Sequence, residues 1–134
     1  MNKRLILFVL PLFIFLFSCH KNDDNNNSNG DISQGTWRVT LFTDSGNDET
    51  SDFNGYSFTF GNGGVLTSQR GAVSQTGTWS HGSDFNIDLG VKSDSNKPLG
   101  ELTDNWKIIS ISSTEIKLTD DNASSGELLT FTKN

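Results

Sequence analysis

From Thr36 onward the chain alternates apolar and polar side chains at every second residue. "TWRVTLF" sets Trp37, Val39 and Leu41 against Thr36, Arg38 and Thr40. "YSFTF" sets Tyr56, Phe58 and Phe60 against Ser57 and Thr59, and "FNIDL" sets Phe85, Ile87 and Leu89 against Asn86 and Asp88. "EIKLT" alternates through Ile116 and Leu118, and "ELLTFTK" ends the chain with Leu129 and Phe131 on one face. A period of two marks strands with one buried face, because successive side chains leave a strand on opposite sides. "VLTSQ" (65–69) and "GTWS" (77–80) are weaker strands of the same kind. In "NWKIISIS" (105–112) the adjacent Ile108 and Ile109 break the period, which predicts either a bulge or a two-sided strand. Runs rich in Gly, Asn, Asp and Ser separate these segments, among them "DSGNDETSDFNG", "QRGAVSQTG", "KSDSNKPLGE" and "DDNASSG". No segment carries the 3.6-residue repeat of an amphipathic helix. Eight short strands joined by turns predict an all-β domain over 34–134. It is an antiparallel meander closed into a small barrel, or alternatively an open β-sandwich.

The first 33 residues follow another logic. Lys3 and Arg4 precede an unbroken apolar run from Leu5 to Phe17. Thirteen helical residues rise about 20 Å, short of the roughly 30 Å hydrocarbon core of a bilayer. With Pro11 inside the run and Ser18 after it, residues 1–18 read as a signal peptide. Leu16-Phe17-Ser18-Cys19 resembles the lipobox of bacterial lipoproteins. That resemblance implies cleavage before Cys19 and lipid attachment to its thiol. Since Cys19 is the sole cysteine, the rest of the chain offers no disulfide, thiolate metal site or cysteine nucleophile. Residues 20–33 hold one apolar side chain, Ile32, too little to offset the entropy of ordering. Residues 19–33 are therefore expected to be a lipidated cysteine followed by a disordered acidic and Asn-rich tether. Lys21, Asp23 and Asp24 resemble the surface-export signals of Bacteroidetes lipoproteins. This implies an address in the cell envelope, at the outer membrane and facing outward.

Charge narrows the partners. Loss of Lys3 and Arg4 leaves 8 basic against 16 acidic residues, a formal net charge of −8. Nucleic acid and anionic headgroups both demand a basic face, so the lipid anchor is the expected contact with membrane and no nucleic acid is expected.

Candidate chemistry is sparse. His81 lies near Ser80 and Asp84 in "WSHGSD", but a triad needs side chains that converge in space, and no G-x-S-x-G elbow is present. Asp44, Asp48, Glu49 and Asp52 fill one loop, and Asp120, Asp121 and Glu127 flank the last turn. Neither has the spacing of a known cation loop, and neither does the run Asn25, Asn27, Asn29, Gly30, whose closing position is Thr36. "GNGG" (61–64) lacks the Lys-Ser/Thr of a phosphate loop and is read as a turn. No catalytic residue, metal ligand or cofactor is assigned, and the chain is read as a non-enzyme.

The order of "GTWRVT", "FTFGNGGVLTSQ", "GTWS", "WKIISISSTEIKLTDD" and "LTFTK" resembles the lipocalin-like domains of Bacteroidetes lipoproteins. In lipocalins the Trp of the first G-x-W plugs the barrel base, and a basic residue packs over it. The resemblance gives the plug to Trp37 and the basic cover to Arg38 or Lys133. Trp79, Trp106, Phe58 and Phe60 are the remaining aromatics for a core or a pocket. The resemblance implies a binding domain that carries a small apolar ligand. An eight-stranded barrel is only just wide enough for its own side chains, which leaves a second reading: a filled scaffold that displays loops to a protein or glycan partner.

Overall fold

The computed structural model describes residues 31–134; the expected signal peptide, Cys19 and most of the expected tether lie outside the described residues. The chain forms β1 (Trp37–Asp44), β2 (Asn47–Asp48), β3 (Tyr56–Phe60), β4 (Val65–Arg70), β5 (Val73–His81), β6 (Asp84–Asp88), β7 (Asp104–Ile111), β8 (Glu115–Thr119) and β9 (Leu128–Lys133). From β3 to β9 every strand pairs antiparallel with the next, and β3 also pairs with β1. β1 and β9 then close the ring through Trp37↔Lys133, Arg38↔Thr132 and Val39↔Phe131. The result is an eight-stranded barrel rather than an open sandwich, with β2 as a short extra strand folded back on the end of β1. Closure leaves the barrel strands without free edges.

Two departures from strict alternation shape it. In β1 the register shifts between Val39 and Leu41. The extra residue turns Phe42 inward, wholly buried, while Leu41 is only half-buried. The expected inward trio Trp37, Val39, Leu41 is therefore corrected to Trp37, Val39, Phe42, because a bulge resets the period of two. In β7 the register shifts between Ile108 and Ser110, and Ile109 is 57% exposed. Of the two readings of the adjacent isoleucines, the bulge is the one found.

β5 is the larger surprise. It runs nine residues from Val73, through a stretch read as mostly turn. Its inward positions include Gln75 and Gly77 rather than apolar residues, so no periodicity announces it. Pairing makes it a strand: Arg70↔Val73 through Val65↔Thr78 on one side, and Thr78↔Asp88 through His81↔Phe85 on the other. Gly77 is required there, since a Cβ would collide with the Asp88 carbonyl.

The inward positions are filled. Trp37, Trp106, Phe42, Phe58, Phe60, Phe85 and Phe131 are each fully buried among Leu66, Ile116, Leu118 and Leu129. Phe131 meets Phe58 and Phe60 edge-on at 5.3 Å, and Phe60 meets Phe85 at 5.6 Å, the T-shaped geometry that the ring quadrupole favours. Each such side chain adds about 1.5–3 kcal/mol by leaving water, which matters in a small domain with no covalent staple. The loops also contribute: Phe53, Leu99 and Leu102 are buried from connections that read as polar. So is Ile32, 3% exposed. The end of the expected tether thus belongs to the folded domain, which begins before residue 34.

The barrel has two unlike ends. The base carries residues 31–36 and the tight connections at 61–64, 82–83 and 112–114. The opposite end carries the longer loops 45–55, 89–103 and 120–127 and the turn at 71–72.

Candidate functional site

At the base, the first residue of β1 places Trp37 inside the ring. Its indole N–H donates to the Ile32 carbonyl at 3.0 Å, and the Lys133 ammonium lies 5.0 Å from the ring centroid. Arg38 points outward and donates to the Lys133 carbonyl and the Asn134 side chain. Of the two basic residues considered, Lys133 covers Trp37. Trp106 is also wholly buried and donates to the Leu102 carbonyl at 3.0 Å. Phe58 and Phe60 belong to the same core.

Trp79 alone among the candidate aromatics reaches a cleft. It is half-buried, meets Phe60 edge-on at 5.3 Å, lies near-parallel to His81 at 5.8 Å, and donates to the Gly61 carbonyl at 2.9 Å. With Asp31, Ile32, Asn62 and His81 it lines an open depression at the base. His81 Nδ1 is buried without a hydrogen-bond partner among the described residues. The Ser80 hydroxyl accepts from Asn86, and Asp84 takes Lys107 at 2.9 Å and Asn105 at 3.3 Å. The Lys107 hydrogen bond, followed by that of Asn105, holds the Asp84 carboxyl below its ordinary range. No hydrogen bond joins Ser80, His81 and Asp84 among the described residues, since neighbours on a strand face opposite ways.

The loop end concentrates charge. Oxygen atoms of Asp104, Asp120 and Glu127 lie within 4.8 Å of one another. Lys92 reaches Asp104 at 2.6 Å, and Lys97 reaches Glu101 at 3.1 Å. Burial pushes the Glu127 carboxyl up to about 7; Lys92 opposes this, while Asp120 and Asp44 reinforce it. Glu49 is also raised, by burial and then by Glu101 and Asp44. The two acidic loops read separately in the sequence therefore meet: Asp44 from one and Glu127 from the other line a single cleft with Lys92, Lys97 and Glu101. The sequence reading missed the 89–103 loop as the third contributor. Lysine ammonium groups already supply counter-charge here, and Glu127 holds its proton close to neutrality.

A second cleft, of about 290 Å³, opens between the ends of β3, β4 and β5 and the 93–99 segment. Tyr56 and Arg70 face each other across β3 and β4, and the guanidinium lies over the phenol ring, 5.2 Å from its centroid. Gln75 donates to the Leu89 carbonyl at 2.6 Å and to Asn96 at 3.2 Å, which fixes the opposite wall. This site had no signal in the pattern of the sequence, because Arg70 and Gln75 fall in the run read as a turn.

No protein-family model matches the chain, and no curated protein does. Among solved structures, a lipocalin-like protein from Bacteroides uniformis superposes with a TM-score of 0.58 at 19% identity, over 78% of this chain and 100% of the other. A DUF4847 family protein from Bacteroides vulgatus does so with a TM-score of 0.56 at 17% identity, over 78% and 95%. At such identities the likeness speaks for the fold alone: the domain is a lipocalin-like β-barrel.

Proposed function

We propose that the protein is a lipid-anchored envelope lipoprotein whose barrel is a rigid, non-catalytic module that binds through its loop end rather than in its interior. The observation that carries this is the filled ring of Trp37, Trp106, Phe42, Phe58, Phe60, Phe85 and Phe131. A carrier of apolar ligands needs an internal space of at least roughly 300 Å³, and aromatic side chains occupy the axis here. The geometry thus favours the display reading over the small apolar ligand.

The entry point of the chain supports the same orientation. Asp31 and Ile32 lie at the base, so a tether from Cys19 arrives there and the loop end faces away from the membrane. The twelve residue-to-residue steps from Cys19 to Asp31 can reach about 40 Å at full extension. That length clears a headgroup layer, in keeping with an outward-facing protein of the outer membrane.

Native mass spectrometry of the full chain extracted from membranes in mild detergent tests the proposal. The expected spectrum carries acyl groups on Cys19 and no retained apolar molecule, and a Cys19→Ala chain lacks the added mass and leaves the membrane fraction. A stoichiometric apolar ligand that survives extraction would overturn the loop-end reading. An unmodified Cys19 would overturn the anchor.

A further inference from the structure

We propose that the cleft beside Arg70 is a binding site for a compact carboxylate borne on a flat apolar body. The inference rests on the loop-end reading and gives that end a ligand class.

The first argument is the state of the cations. Among the described residues Lys92, Lys97, Lys107 and Lys117 each hold a carboxylate within 2.6–3.2 Å. Arg38 is spent on the chain end, and Lys133 covers Trp37 at the base. Arg70 has no ion pair and no side-chain hydrogen bond among the described residues, in a chain whose formal net charge is −6. Its guanidinium carbon lies over the Tyr56 ring, 5.2 Å from the ring centroid. A guanidinium keeps its five N–H donors in its own plane; contact with the ring helps to place the group, and its donors are without partners among the described residues. A planar fork of that kind matches a carboxylate in bidentate fashion.

The second argument is the cleft. Its volume of about 290 Å³ sits at the low end for small-molecule sites, which calls for a compact ligand. Tyr56, Val73 and Leu99 supply apolar wall, and Ser74 and Gln75 supply polar wall. Gln75 is already tied to Leu89 and Asn96, so this wall loses little freedom on binding, which favours affinity.

The third argument sets the charge of the ligand. Lys97 also lines the cleft, but Glu101 engages it at 3.1 Å. One positive charge is left uncompensated, and Asp52 lines the adjoining cleft around the same Arg70. A monoanion fits; a multiply charged phosphate meets the acidic residues of the same end.

The test follows backbone amide NMR shifts of the folded domain during titration with benzoate, with neutral benzamide as the isostere. Benzoate is expected to give saturable shifts at Arg70, Gln75 and Asn96 in the millimolar range suited to so small a molecule. Arg70→Met keeps an apolar stem over Tyr56 and should weaken binding at least about tenfold, as loss of a charge-assisted contact implies; Arg70→Lys should fall between. Lys117→Met, on another strand, should leave the affinity unchanged. Equal binding of benzamide, or undiminished benzoate binding by folded Arg70→Met, overturns the carboxylate assignment while leaving the loop end a binding face. Absence of any saturable shift with benzoate also overturns it. The loop-end reading falls separately, on a retained apolar mass.

Discussion

The Lys133 ammonium lies 5.0 Å from the centroid of the Trp37 ring, so the last strand covers the first residue of the first. Lys133 and Trp37 are also direct partners in the β1–β9 ladder, and the same indole donates to Ile32 just upstream. Barrel closure, the chain entry and the plugged base thus meet at one side chain.

Truncation of Trp37 to Ala should cost about 3–5 kcal/mol, since it opens a cavity and orphans the Ile32 carbonyl. Trp106→Ala should fall in the same range, because Trp106 is equally buried. Trp79→Ala should cost less, because part of that ring already meets solvent. Lys133→Gln keeps most of the stem and removes the charge over the ring, which should cost less than any of the Trp truncations, about 0.5–2 kcal/mol at a half-buried site. Urea midpoints of the four variants give this ranking directly.

A chain that starts at residue 34 loses Ile32 and the acceptor for Trp37. It should be less stable than one that starts at residue 31 by several kcal/mol, since Ile→Ala changes in cores alone cost about 2–5 kcal/mol. Thermal melts of the two chains settle it; equal midpoints would return Ile32 to the tether.

Glu127 gives a pH signature. Its carboxyl titrates near 7 in the fold against an ordinary value of 4.5. Between those values the folded chain holds more protons than the unfolded one, so this group makes stability fall as pH rises from about 4.5 to about 7. Glu49, also raised, acts in the same direction. Glu127→Gln should flatten the decline and gain stability over the parent at pH 8. Below the ordinary carboxylate range stability falls for the opposite reason: Asp84 and Asp120 are held low in the fold, by the Lys107 and Ser125 hydrogen bonds respectively, and lose those bonds on protonation. Denaturant titrations from pH 2 to 8 measure both slopes.

The strands that bury one apolar face were legible because alternation encodes them: β3, β6, β8 and β9 fall within a residue or so of their expected bounds. Of β5 only 77–80 was legible, as a weak strand; its first half, 73–76, was not, since Gln75 and Gly77 occupy the inward face and pairing with β4 makes that stretch a strand. Leu41 was assigned the place of Phe42 because a bulge leaves no trace in composition. The candidate sites follow the same division. Trp37 sits in a recognisable local context, whereas the meeting of Asp44 with Glu127 and the approach of Arg70 over Tyr56 depend on which elements the barrel brings side by side.

The central claim, a filled barrel that binds by its loops, is tested most directly by titrating the folded domain with a neutral long-chain probe such as 1-decanol. The aromatic side-chain NMR signals of Trp106, Phe58, Phe60 and Phe131 report on the interior. The account predicts that they stay unshifted up to the solubility limit of the probe. A saturable one-to-one shift of those interior rings would contradict it and restore the barrel as a carrier of apolar ligands.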